Sequence, residues 1–502
     1  MESQALVTGN AVTWSHLPAE IRLMILDALL QDGCSVAPFA AVSREWQAVI
    51  EPHNFARIYL TPSRLADVDT MLRRNRALVK YIWYYIELEK YDCTTCAPLV
   101  RDDWGLNETD NTVIMTALEG LFSTLSAWPH NGNLLLDISL YSPSDSKHWF
   151  KYLTCGPDIP SGKYNRNQSL DQVARVEDDD HQRLWNADDR NPNLQRFAIN
   201  KLFEDIMGEG PFNTDEQEWQ WFRQLPAVPA VTGLLLRQET RRRWKPLALL
   251  EMLARFPKLR DVHMEPWREW KDDWQQEHTD GFYRTLFEFL ASTNLRRLVL
   301  FENFNQYYPQ SYPDCELLRI PNRQCSEWIA TVSLKLDHLS ASFIADASYF
   351  FDARKSSWEW PNLTSLALTS RLFTPPESPA NIDRLLRAAA AAAIKMPKLE
   401  IMEIWNGRKG LAALFRYQVT RGGHPPVLTW KGTWELTLRP PMVQLWESVA
   451  SKHWGSRSIR VVHERLPNHI GSHGDALHVL EPVNEVIRPV SLHQIQVEHQ
   501  FR

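Results

Sequence analysis

Leu295-Arg296-Arg297-Leu298-Val299-Leu300-Phe301-Glu302-Asn303 decides how this chain is read. Its apolar residues at the first, fourth and sixth positions suit a short strand with one buried face. The same pattern, Leu-x-x-Φ-x-Φ with Φ apolar, returns at Leu78 (LVKYIW), Leu135 (LLDISL), Val231 (VTGLLL), Leu259 (LRDVHM), Leu363 (LTSLAL) and Leu399 (LEIMEI). Pro229, Pro257, Pro361 and Pro397 stand two residues before four of these copies. Segments such as PLALLEMLARF and IDRLLRAAAAAAIKM precede the prolines and read as helices. Proline ends each helix because it lacks an N–H donor and disfavours helical geometry in the residue before it. The interval between Leu295 and Leu363 has room for a degenerate copy at Leu336-Asp337-His338-Leu339. Pro192–Ile199 also fits the pattern, but Leu194, Phe197, Ala198, Lys201, Leu202, Asp205 and Ile206 have helical spacing, so that segment is read as helix.

The copy at 295–303 matches the leucine-rich-repeat template L-x-x-L-x-L-x-x-N at every fixed position. The resemblance implies an α/β fold, an irregular leucine-rich-repeat-like solenoid of helix–strand units over residues 61–465. Parallel strands would line one side and helices the other. Residues between the Φ positions then face solvent on the concave side. Arg237, His263, Arg297, Phe301, Glu403 and Trp405 are the candidate substrate-binding residues on that face, since Trp, Tyr and Arg carry most interface energy. Polar residues 156–192 read as a loop, residues 304–325 as an ordered excursion, and residues from about 427 as a cap with a strand-like ELTL. Residues 466–502 read as a polar tail without a clear period.

Residues 17–46 read LPAEIRLMILDALLQDGCSVAPFAAVSREW. Ser15 suits an N-cap and Pro18 the first helical turn. Ile21, Met24, Ile25, Ala28 and Leu29 follow at helical spacing, Asp32-Gly33 is a stop, and a second apolar cluster runs to Pro52. Leu-Pro, then an amphipathic helix, then Val42-Ser43-Arg44-Glu45-Trp46 resembles an F-box over residues 14–60. The whole layout is similar to fungal F-box proteins. That resemblance implies adaptor contacts at Leu17, Pro18, Ile21, Ile25 and Leu29, with Val42 and Trp46 in the module core. It further implies a non-catalytic substrate receptor of a cullin–RING (SCF-type) ubiquitin ligase. Its partners would be a Skp-type adaptor, through it cullin and RING subunits, and a protein substrate. The alternative is an adaptor-bound scaffold, or a repeat interaction protein, acting outside ubiquitination.

With 502 residues, 44% apolar residues and 21 tryptophans, the chain supports a large core. A formal charge of -6 favours neither nucleic acid nor an anionic membrane as partner. No apolar run reaches bilayer length and no secretory signal is visible, so a cytoplasmic or nuclear protein is expected. Six scattered cysteines make no disulfide framework. Cys93-Thr94-Thr95-Cys96 has the spacing of half a zinc site, with ordinary thiols or a redox pair as alternatives. Glu177–His181 and the histidines His463, His469, His473 and His478 lack metal-site spacing. Arg241-Arg242-Arg243 before Trp244 reads as a solvated helix start or a patch for an acidic partner. No phosphate loop, nucleophile elbow or nucleotide fingerprint occurs, so neither a catalytic site nor a cofactor or metal is expected.

Overall fold

The computed structural model describes residues 13–31, 36–97, 106–130, 132–159, 192–207, 210–270, 280–312, 315–316, 318–420, 424–456 and 458–500. The strands are β1 (Arg57–Leu60), β2 (Tyr81–Glu87), β3 (Leu134–Tyr141), β4 (Asp205–Ile206), β5 (Val231–Leu236), β6 (Arg243–Trp244) and β7 (Asp261–Met264). They continue as β8 (Arg297–Phe301), β9 (His338–Asp346), β10 (Ser365–Thr369), β11 (Ile401–Arg408), β12 (Leu411–Gln418), β13 (Val427–Gly432) and β14 (Arg460–Arg465). Each copy of the sequence pattern thus leads into a strand, including the degenerate one before β9.

Among the described residues, twelve strands form one sheet whose spatial order follows the chain, with only the short β4–β6 pair set apart. Neighbouring strands are parallel except for β11–β12 and β12–β13, which are antiparallel. The class is therefore α/β with a large, mostly parallel sheet. Helices fill the crossovers, among them Glu108–Ser126, Pro246–Leu253, Asp280–Ser292, Arg323–Ser333 and Pro379–Ala393. Several start on a side-chain cap: Asn107, Asn322 and Ser378 each accept a backbone N–H of their first turn. Residues 192–202 are helical, as their spacing indicates.

Register explains the Φ positions of every copy except that at Leu78, whose Tyr81 and Trp83 fall on the opposite face while Ile82 takes the place beneath the helices. Ile82, Leu136, Leu234, Val262, Leu298, Leu339, Leu366 and Met402 sit opposite one another across eight strands. All eight are fully buried beneath the helices. A side-chain period of two therefore puts the alternate residues, such as Asp137, His263, Ser340 and Glu403, on the opposite face.

Several boundaries differ from the sequence reading. The first long helix starts at Ala19, and Ser15 lies in a preceding 3-10 turn capped by Thr13. Pro52 does not end the second helix, Arg44–Phe55, but sits in its last turns. Residues 57–60, grouped above with the helical module, form the first strand of the sheet. The ELTL segment, 435–438, is not a strand; the chain passes through it to helix Pro440–Trp454. Of the loop expected at 156–192, residues 160–191 lie outside the described residues, as do Asp32-Gly33 and Glu177–His181.

The largest departure is the polar tail. Residues 466–500 fold as helices His473–Leu480 and Pro489–Gln500 joined by a tight connection. Residues 491 and 493–499 are buried. This segment turns back and crosses the sheet on the face opposite the crossover helices, from β12 towards β3.

Candidate functional site

The N-terminal helices present one candidate surface. Helix Ala19–Gln31 buries only Leu26, while Ile21, Leu23, Met24 and Ile25 are 41%, 46%, 65% and 42% exposed. Its apolar stripe therefore points away from the rest of the chain. Leu17 and Leu29 are half-buried and Pro18 is exposed. Trp46 is half-buried and packs against Trp14 (5.2 Å between ring centroids) and Phe39 (6.0 Å). Val42, expected in the core, is instead 60% exposed, because it precedes the Ser43 cap and projects outwards. Arg22 Nε donates to Glu45 Oε1 (2.8 Å) and Trp14 Nε1 to Glu45 Oε2 (3.0 Å), which ties the two helices together. The Trp14 and Arg22 donors hold the Glu45 carboxyl below its ordinary range.

The six candidate substrate residues lie on the sheet face that was expected to be open, but residues 466–500 cover it. Arg237 is buried and pairs with Asp137 (2.9 Å) and Glu239 (2.7 Å). His263 is buried, with its Nε2 3.0 Å from Glu265 Oε1. Arg297 is half-buried and pairs with Glu485 of the covering segment. Phe301 and Trp405 are fully buried in a cluster with Ala476, Leu477, Leu480 and Ile495. Glu403 is fully buried; it accepts the backbone N–H groups of Val483 and Asn484 (2.9 Å each) and pairs with Arg416 (2.6 Å). Arg297, Phe301, Glu403 and Trp405 hold the chain's own C-terminal segment, and solvent exposure was the wrong expectation for five of the six.

Complementary charge seats that segment. Glu498 accepts from Arg241 Nη1 (3.2 Å) and Nη2 (2.8 Å), Asn305 Nδ2 (2.9 Å) and Tyr308 Oη (2.7 Å), all in the interior. Four donors offset the desolvation of a buried carboxylate, and Glu498 titrates below its ordinary range although burial opposes this. His473 faces Asn303 Oδ1 through Nε2 (2.8 Å) and stacks on Phe304 at 4.2 Å. Burial pulls His473 well below the usual histidine range, and burial likewise lowers His499. Gly407 lets the segment approach β11: a Cβ there would lie 2.6 Å from Ala476 Cβ.

The Arg241-Arg242-Arg243 run is neither a solvated start nor an open patch. Arg241 and Arg242 are buried, Arg243 half-buried, and their partners are Glu498, Asp145 and Glu269 respectively. Nearby, Asp137 and Glu239 share Arg237, and burial pushes Glu239 up to about 7. Cys93 Sγ lies 3.3 Å from His148 Nδ1. No group of three metal-ligating side chains gathers among the described residues. His473 lies in the buried interface, away from any such role.

One surface escaped the sequence reading. Tyr59, Trp83, Tyr85 and Tyr141 form a continuous aromatic ladder on β1–β3, with centroid separations of 5.8, 5.1 and 5.3 Å. Tyr59 is 48% exposed and the other three are half-buried. The signal was visible in YIWYYIE at 81–87, where alternate positions on the polar face are aromatic.

Residues 290–488 match a family of unknown function (DUF6546). The match spans β8 to β14 and most of the covering segment, fewer than half of the 502 residues. No curated protein matches the chain. No helix among the described residues is long and apolar enough to cross a membrane.

Proposed function

We propose that this chain is the substrate-recognition subunit of an SCF-type ubiquitin ligase, docking on a Skp-type adaptor through residues 14–60. The uncovered apolar stripe of helix Ala19–Gln31 is the observation that carries the reading. Four large apolar side chains on one short helix leave a surface that a partner has reason to cover. Sequential parallel strands with helices on one face favour reading the remainder as an irregular leucine-rich-repeat-like solenoid. Because residues 466–500 occupy the face of β5–β12, the protein substrate is assigned to the aromatic ladder at the open end. Tyr and Trp there offer large contact area at low entropic cost. The chain itself performs no chemistry in this role; it raises the effective concentration of substrate lysines near the charged conjugating enzyme. The proposed setting is the cytoplasm or nucleus.

The test is co-purification of the full chain with a Skp-type adaptor, beside a Leu17→Ala/Pro18→Ala variant. Retention of the wild type and loss of the variant supports the reading. Failure of the folded wild type to bind ends it.

A further inference from the structure

A second site lies at the carboxyl ends of the parallel strands. A cavity of about 270 Å³ opens beyond β8–β11, where ligands characteristically bind in open α/β sheets. Its size falls just below the ~300 Å³ lower bound of drug-sized pockets, so its occupant is small. An irregularity between β9 and β10 shapes one wall: Leu368 pairs with Ala341, but Thr369 pairs with Asp346. The intervening residues bulge out, and Phe343 adopts φ 64°, a left-handed conformation rare for an aromatic residue. Bulges and such outliers gather at ligand sites. Phe343 packs edge-on against Phe304 at 4.9 Å, and both rings remain half-buried along the cavity.

The charges of the lining are unequal. Arg268, Arg319, Arg371 and Arg408 face only Glu302 and Asp346. Glu302 is taken by Arg319, which also holds Asp280 at 2.7 Å. Asp346 caps the following helix through Ser348 N (2.8 Å) and accepts Arg371 N (2.8 Å). Arg371 itself reaches Tyr349 Oη (2.7 Å). Arg408, at the end of β11, is half-buried, and burial lowers its titration. Its guanidinium has no ion pair or side-chain hydrogen bond among the described residues. A partly desolvated guanidinium at a cavity wall is a ready partner for an oxyanion.

We propose that this cavity binds a small organic anion, with a carboxylate or phosphate on Arg408 and an apolar body against Phe304 and Phe343. The site is independent of adaptor docking, and a Leu17→Ala/Pro18→Ala variant would retain it.

Titration calorimetry of the full chain with benzoate and with phenyl phosphate tests the assignment. Inorganic phosphate and benzyl alcohol serve as the headgroup-only and body-only probes. At least one aryl anion is expected to bind saturably and more tightly than both of these, and the tighter aryl anion identifies the headgroup. Arg408→Gln should weaken it roughly tenfold or more, the worth of one charge-assisted contact, with an unchanged melting temperature. Independently of any variant, the bound anion should protect Arg408 in the wild type from phenylglyoxal, read by mass spectrometry. Absence of saturable aryl-anion binding, equal affinity for benzyl alcohol, or unprotected Arg408 would overturn the proposal.

Discussion

Replacing Glu498 with alanine would leave the Arg241 guanidinium buried without its carboxylate. Arg241 is 1% exposed and 4.2 Å from the Trp267 ring, so water cannot substitute for the lost partner without opening the interface. Removing one member of a buried ion pair costs about 3–5 kcal/mol. Unfolding entropy of about 2.1 cal/mol/K per residue makes roughly 1 kcal/mol/K for a chain this size. The melting temperature should therefore fall by about 3–5 °C if the chain unfolds as one unit. If residues 466–500 detach first, amide exchange in them should accelerate by about two to three and a half decades, at 1.4 kcal/mol per decade. Exchange mass spectrometry separates the two cases. Adding Arg241→Met removes the orphaned charge while keeping an apolar contact with Trp267, and should recover most of the loss. Unchanged exchange in Glu498→Ala, or a double variant as damaged as the sum of the singles, would refute the view that this pair seats the segment.

Acid should loosen the same segment. His473 and His499 both titrate below 6.5, so above that value they are neutral whether folded or not. As pH falls below it, the unfolded segment takes up protons that the folded one refuses. Each histidine then costs about 1.4 kcal/mol per pH unit until its folded value is reached. With the intrinsic pH dependence of amide exchange divided out, the protection of residues 473–500 should fall between about pH 6.5 and 5.5, and constant protection would contradict this. Gly407→Ala should destabilise the docked segment by about 1–3 kcal/mol through overlap with Ala476, measurable by denaturant titration. Ile21→Asp/Met24→Asp should abolish adaptor capture, yet shift stability by only about 0.5 kcal/mol per exposed site; capture by the folded variant would move docking elsewhere.

The strands were legible because their period follows from burial on one face. Leu298 and Leu300 had to be apolar, and every Leu-x-x-Φ-x-Φ copy except the out-of-phase one at Leu78 announces such a face. The C-terminal helices were not legible for the converse reason. Pro489–Gln500 is held by polar groups of the surrounding loops, such as Thr154, Gln238, Arg241 and Asn305, so it carries Gln494 and Glu498 in interior positions and shows no apolar stripe. A helix docked on a polar surface has the composition of a solvated tail. Arg241-Arg242-Arg243 misled similarly: its meaning rests on Glu498 and Asp145, which no local pattern connects to it. The apolar stripe at 21–29 was read correctly as helical, but spacing alone does not say whether a stripe faces inward. Val42 failed on that point.

The Arg241–Glu498 pair joins residues 257 positions apart in sequence. On a ribosome adding roughly 5–20 residues per second, Arg241 emerges about 13–50 s before its partner exists. As β7 to β12 are added during that interval, the growing sheet face, which carries charged Arg297 and Glu403 as well as apolar Phe301 and Trp405, has no lid. Vectorial synthesis thus leaves the nascent chain with a long-lived, half-finished surface, and Glu498 is among the last residues needed to seal it.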